Sequence, residues 1–460
     1  MAALATRLLQ RLLTPFTCVK HGECAGAALM GLNAFFVLTA YYLLKTVREA
    51  LILSQGGAEV KSYSAAAQAL LLLVLVPVYS RLTSRVSRSK AVMGVSLFFI
   101  SNLLVFAATG TAGLLVGIPF FIWVGIFNVT VIAQFWSFAS DAWSEEQGKR
   151  LLPVVGMGSS LGAFAGAKLA GPLFQILGPY QIMLIAAALL AVCVLFTRVI
   201  DRHLGMTSSS QAIIAQKALE PGNGFRMVFA NRYLMLVAAF VLLLNVVNTS
   251  GEFLLGRLVV EQAQQLAGDS AELRQQFIGQ FYANFFAWVG IIGLVIQFFL
   301  VSRVFRYIGI RAALFIVPCV ALGGYALLAL APALAVMRLA KILENAGDYS
   351  LQNSARHALF LRTSREARYK AKAAIDTFFW RAGDMLQAGI VLMGSRLACT
   401  TADFAAVTMA LALVWIGVVA LLYREYGPSG EPAPKPVPAP VVKRRVPTTA
   451  MLLRGPRFVS

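Results

Sequence analysis

Charge is scarce in this sequence, and acid is scarcer still. Asp, Glu, Lys and Arg make up 13% of the 460 residues, with 20 acids against 40 Lys and Arg. A soluble domain usually carries about 25% charged residues, and a soluble chain of this length could not hide 59% hydrophobic residues from water. Histidine (three) and cysteine (five, at 18, 24, 193, 319 and 399) are too few and too scattered for a disulfide scaffold. Cys18, His21 and Cys24 lie close together but lack a fourth ligand, so no structural zinc is expected. No H-E-x-x-H, G-x-S-x-G or G-x-x-x-x-G-K-[ST] run occurs, which argues against a metalloprotease, a serine hydrolase and an in-chain ATPase. Nothing in the chain calls for a cofactor or a catalytic residue, and an enzyme is not expected.

Long apolar runs fill most of the chain, and mean hydropathy is +0.74. With about 20 residues per crossing, twelve spans are expected near 26–54, 63–80, 91–109, 112–139, 151–175, 179–200, 227–256, 276–302, 309–328, 331–356, 372–395 and 402–423. The first, seventh and tenth contain charges that dilute their hydropathy. The fold class expected is therefore an all-α integral membrane protein of twelve transmembrane helices in two six-helix halves. The domains run 1–24 (a basic interfacial segment with Arg7, Arg11 and Lys20), 25–200, 201–225 (the longest polar interruption), 226–424 and 425–460 (an extended Pro-rich basic tail).

Basic residues cluster on one side of these spans, as with Arg81, Arg85, Arg88 and Lys90, or Arg362, Arg365, Arg368 and Lys370. Lys61, Arg274 and Arg396 fall in the opposite loops. By the positive-inside rule both termini are cytoplasmic. The net charge of +20 is then a set of anchors against anionic lipid, and nucleic acid is not expected as a partner. Ser80-Arg81-Leu82 is echoed by Ser302-Arg303-Val304, 222 positions on, and Lys149 by Lys370, 221 positions on. Offsets that agree within one residue in separate loops point to duplicated halves, a pattern of secondary transporters.

Charges inside spans are costly and mark cavities or partners. Lys45, Arg48 and Glu49 lie in the first span, where the i, i+4 spacing of Lys45 and Glu49 predicts a pair that leaves Arg48 spare. The seventh carries the polar stripe Asn245, Asn248 and Glu252. The tenth carries Lys341, Glu344, Asp348 and Gln352 on one face, and the eleventh carries Asp376, Arg381 and Asp384. Lys45, Arg48, Asn245, Asn248 and Arg381 are the candidate substrate-binding residues. Glu49, Glu252, Lys341, Glu344, Asp348, Asp376 and Asp384 are the candidate coupling or gating residues. Glycines at 155–171 suit close helix packing.

Four stretches carry a resemblance: YYLLKTVREALIL (41–53), FWSFASDAWSEEQGKRLLPVVGMGSSLGA (135–163), SRVFRYIGIRAALFIVP (302–318) and RYKAKAAIDTFFWRAGD (368–384). They resemble the ATP:ADP translocase family of obligate intracellular bacteria and plastids, with its bacterial relatives. The loop Ser80–Lys90 looks like a degenerate basic loop of the major facilitator superfamily. The resemblance implies a twelve-helix facilitator fold and counter-exchange of nucleotides, with basic residues at Lys45 and Arg48 and an acid at Glu49. Two positions depart from it. The family's glutamate falls at Val124, and its eleventh-span lysine falls at Asp384, which reverses the sign. An aspartate there repels a polyphosphate in a low-dielectric cavity.

The expected function is secondary transport, by alternating access, of an organic anion, by resemblance a nucleotide or phosphorylated metabolite. A proton or counter-substrate is a further candidate partner, beside membrane lipids. A lipid or cell-wall-precursor flippase, and a non-transporting membrane partner protein, are the alternatives.

Overall fold

Gly57 interrupts the first long helix, Cys24–Thr83, with φ 78° and ψ −176°, a conformation open to glycine and strained for other residues. The break separates α1 (24–56) from α2 (58–83). The computed structural model describes residues 23–83, 88–204 and 222–425. The interfacial segment 1–22, with Cys18 and His21, most of the central interruption (205–221) and the tail from 426 lie outside the described residues.

Ten further long helices follow: α3 (Arg88–Thr111), α4 (Gly117–Asp141), α5 (Glu145–Ile176), α6 (Pro179–Leu204), α7 (Arg232–Ala267), α8 (Ala271–Tyr307), α9 (Gly309–Leu330), α10 (334–362), α11 (365–396) and α12 (Thr401–Glu425). A short helix, Gly222–Ala230, precedes α7, and no strand occurs among the described residues. The twelve helices fall on the twelve expected spans. The protein is an all-α, multi-pass membrane protein. Among the described residues, eight helices, with α1 and α2 taken as one, are long and apolar enough to cross a membrane. The exceptions are α5, diluted by glycine and serine, and α10 and α11, diluted by charge. Charge dilution thus holds for α10, whereas α7 stays apolar enough despite Glu252.

Five of the six residues with positive φ among the described residues lie in turns at one end of the bundle, here end A: Gly57, Gly113, Gly178, Gly268 and Ala398; the sixth, Gly309, lies between α8 and α9 at the other end, here end B. End B carries the basic loops. Helices α1 to α6 pack together, as do α7 to α12. The expected small-residue packing is present in α5, where Gly158 and Gly162 ride on the α1 backbone. A Cβ there would stand 2.1 Å from the Gly31 carbonyl oxygen and 2.2 Å from that of Phe35. In lipid, where burial gives helices no hydrophobic advantage over one another, such close approach is a main source of association.

The duplication is visible in where the helices are irregular. A π-turn at Asn128–Ile132 in α4 matches one at Asp348–Gln352 in α10, 220 positions on. The π-turns at Ile296–Leu300 in α8 and Ile375–Phe379 in α11 correspond, 222 positions back, to stretches that hold Pro77 in α2 and Pro153 in α5. Those of α8 and α11, with Pro77 and Pro153, lie toward end B, and those of α4 and α10 lie at mid-helix.

The halves meet toward end A. Phe174 of α5 packs on Gly279 of α8, Gly171 on Ala283, and Leu53 of α1 on Gly256 of α7. Gln387 of α11 donates to the Ser62 hydroxyl of α2 at 3.2 Å. The end-B parts of α4 and α5 show no extensive packing against α10 and α11.

Candidate functional site

The turn at Gly57 returns the chain on itself, so that residues just before it and just after it face one another. Lys61, one helical turn beyond, places its Nζ 2.7 Å from Glu49 Oε2. Arg48 holds the other oxygen of the same carboxylate, through its Nε at 3.0 Å and also through Nη2. Glu49 is 1% exposed, and a carboxylate in such a place requires this double pairing.

From Lys61 the chain of charges crosses to the second half. Its Nζ lies 3.6 Å from Glu252 Oε2 of α7, whose Oε1 accepts from the Asn345 amide of α10 at 3.0 Å and lies 3.9 Å from Lys341 Nζ. Lys341 is fully buried. It donates to Glu344 Oε1 at 3.1 Å and to the Asn248 carbonyl at 3.1 Å. The Tyr325 hydroxyl of α9 donates to Glu344 Oε2 at 2.7 Å, and the Asn248 side chain donates to Asn345 Oδ1 at 3.1 Å. The result is one continuous ion-pair and hydrogen-bond chain from α1 to α9.

The expected Lys45–Glu49 pair is not formed. Glu49 is saturated by Arg48 and Lys61, because the Gly57 turn brings Lys61 to it, so Arg48 is paired and Lys45 is left over. Lys45 makes no hydrogen bond or ion pair among the described residues. Its ammonium instead lies 4.1 Å from the ring centre of Phe286, 5.4 Å from Tyr42 and 5.8 Å from Tyr349, an aromatic setting that attracts cations. Twelve residues before Gly57, it is roughly 18 Å along the helix from end A, deeper than the chain of pairs.

Lys61 is a second correction. It lies within a helix at 8% exposure rather than in an outer loop. Sequence reading missed it, along with Tyr325 and Asn345. The Gly56-Gly57 pair was the only local signal that the helix breaks one turn before it.

The predicted stripe on α7 divides between two clusters. Asn248 and Glu252 join the charged chain. Asn245, a helical turn nearer end B, donates through its Nδ2 to Asp384 Oδ1 at 2.8 Å and to the Trp380 carbonyl at 2.7 Å. Arg381 reaches Asp384 Oδ2 at 3.4 Å. Asp384 and Arg381 therefore satisfy each other beside Asn245, as a separate α7–α11 contact. Asp376 lies further toward end B, where its Oδ1 is buried without a hydrogen-bond partner. Asp348 makes no hydrogen bond or ion pair among the described residues. Val124 is fully buried in the hydrophobic core. No group of His, Cys, Asp and Glu suited to a metal occurs among the described residues.

The sequence matches the profile of the TLC ATP/ADP transporter family over residues 6–109 and 120–426. The chain belongs to the TLC ATP/ADP transporter family. Comparison with curated protein sequences gives no match. Among solved structures, it is similar to the nucleoside transporter NupG (13% identity, 87% of this chain and 98% of that one, TM-score 0.59). It is also similar to a bacterial homologue of the iron transporter ferroportin in an inward-facing state (14%, 87% and 98%, TM-score 0.60) and to a POT family transporter in complex with 5-aminolevulinic acid (13%, 86% and 95%, TM-score 0.61). At these identities the likeness is one of fold, that of the major facilitator transporters. This member of the TLC family is thus a secondary transporter and not an enzyme.

Proposed function

We propose that the chain carries an organic anion, a nucleotide or phosphorylated metabolite, across the inner membrane by alternating access between its halves. The observation that carries this reading is the charge balance at the seam. Four cations, Lys45, Arg48, Lys61 and Lys341, meet three carboxylates, Glu49, Glu252 and Glu344, and the excess cation is Lys45. An unbalanced ammonium at mid-membrane is costly until an anion joins it. Phe286, Tyr42 and Tyr349 around it supply flat faces on which a base can stack.

With the basic loops inside, the Glu49–Lys61–Glu252–Lys341 chain closes the outer face, and Lys45 is reached from the cytoplasm. Breaking the Lys61–Glu252 bridge and packing the end-B helices together would turn the site outward. The flippase reading has one observation in its favour. A cavity of about 530 Å³ between α11 and α12 is lined by exposed apolar side chains such as Leu386, Met393 and Val407. Its one charged lining residue is the acid Asp403, which repels a phosphate headgroup, and the anion reading is preferred.

Proteoliposomes loaded with ATP, ADP or buffer, and given labelled nucleotide outside, provide the test. Uptake that requires internal nucleotide, disappears in Lys45→Ala and survives in part in Lys45→Arg is expected. Folded wild-type protein that exchanges no nucleotide or phosphorylated metabolite would remove the substrate reading. Labelled-lipid scrambling by the same vesicles would favour the flippase.

A further inference from the structure

A second unbalanced cation lies on the lipid-facing surface, away from the central chain. Lys168 of α5 is exposed and has neither a hydrogen bond nor an ion pair among the described residues. It lines a cavity of about 220 Å³ formed where the two halves meet, with Gln175 of α5 and Gln280 and Asn284 of α8. Asn284 spends its amide on the Gln280 carbonyl, which leaves its side-chain oxygen and both glutamine side chains without hydrogen-bond partners in the described structure.

The surroundings place this groove in hydrocarbon. Leu169 beside Lys168 is 52% exposed and Ile176 is 76% exposed. On α8, Trp288 and Val295 continue the Gln280–Asn284 face at 50% and 48%. Lys168 is eight residues from the end-A terminus of α5, roughly 12 Å along the helix, which is within snorkelling reach of the interface. Polar side chains on a lipid-facing stripe are rare without a partner. The protein offers no carboxylate here. The bilayer offers the lipid phosphate, the anion common to all phospholipids.

We propose that this groove is a binding site for the phosphate headgroup of an anionic phospholipid in the end-A leaflet. Lys168 supplies the charge, and the Gln175 and Gln280 amides donate to the phosphate oxygens. One wall belongs to each half, so the bound lipid ties α5 to α8 and favours the arrangement in which end A is closed. A ligand shifts such an equilibrium only by its difference in affinity between states, and separation of α5 from α8 dismantles the site. The proposal does not depend on the identity of the transported substrate.

The test is thermal melting of the full chain in neutral detergent–phosphatidylcholine micelles, titrated with phosphatidylglycerol and, in a parallel arm, with soluble glycerol phosphate. Phosphatidylglycerol is expected to raise the melting temperature of wild type and Lys168→Arg. In Lys168→Gln its half-maximal concentration should rise about fivefold, the worth of one lysine beside anionic lipid. The basic loops at end B also attract such lipid, so the readout is the difference between wild type and variant. A Lys168→Gln protein that melts like wild type without the lipid and responds to it equally would overturn the proposal. An equal response to glycerol phosphate would assign the site to a free phosphate anion instead. If Lys168→Gln fails to fold, Gln280→Leu provides the same comparison.

Discussion

Lys61 Nζ and Glu252 Oε2 stand 3.6 Å apart across the boundary between the two halves, and Lys61 at the same time holds Glu49 at 2.7 Å. One ammonium therefore connects a bridge inside the first half to a bridge between halves. The contact can open without stranding Lys61, because Glu49 remains with it. Glu252 likewise keeps Asn345 and Lys341. Both ends of the contact stay partnered when the halves part, which suits a reversible gate.

Removing either side of this contact should have unequal effects. Lys61→Met leaves the buried Glu49 with Arg48 alone, and loss of one partner of a buried pair costs about 3–5 kcal/mol. Glu252→Gln keeps its hydrogen bond with Asn345 and should destabilise far less while loosening the end-A closure. Thermal melts rank the stabilities, and labelling of a cysteine placed at Ser62 reports the opening. Equal melts for the two variants would contradict the asymmetry.

Asp384 is engaged with Asn245 and Arg381, so its expected role is to fix α7 against α11. Asp384→Asn retains an acceptor for Asn245 and should fold and transport with little change. Asp384→Ala leaves the Asn245 amide with the Trp380 carbonyl alone, strips Arg381 of its acceptor, and should cost about 1–3 kcal/mol. Transport abolished in a well-folded Asp384→Asn protein would instead place this carboxylate in the transport cycle.

The contact of α5 with α1 tolerates no side chain at Gly162, where a Cβ would sit 2.2 Å from the Phe35 carbonyl oxygen. Gly162→Ala should therefore lower the melting temperature, on the scale of about 1–3 kcal/mol known for overpacking. Gly156→Ala, on the same helix with nothing within 4 Å of the added carbon, is the control and should melt as wild type or slightly higher.

The π-turns of α8 and α11, with Pro77 and Pro153, fall toward end B and the π-turns of α4 and α10 at mid-helix, and π-turns and prolines are places where helices bend. Amide hydrogen exchange should accordingly be faster through 348–352 and 375–379 than through 42–56. Pro153→Ala, which restores a backbone donor in α5, should slow transport more than it weakens substrate affinity. Uniform exchange along α10 would argue against bending there.

The twelve helices, their order and their division into equivalent halves were legible in the residues, because length and apolarity alone determine what can cross a bilayer. So was the glycine seam in α5, where spacing of four returns to the same face. The polar residues of α7 and α10 were recognisable as a set that needs partners, since charge in a span needs a reason. Their pairing was not legible. The i, i+4 rule joins Lys45 to Glu49, and it holds for a lone helix. In the folded chain the break at Gly57 delivers Lys61 to Glu49 from the next helix, and α7 and α10 bring Glu252 and Lys341 to the same place. Which cation remains unmatched is a property of that convergence. Local spacing determined where the charges lie along each helix, whereas only helix packing, which sets distances between residues hundreds of positions apart, decided that Arg48 is spoken for and Lys45 is free.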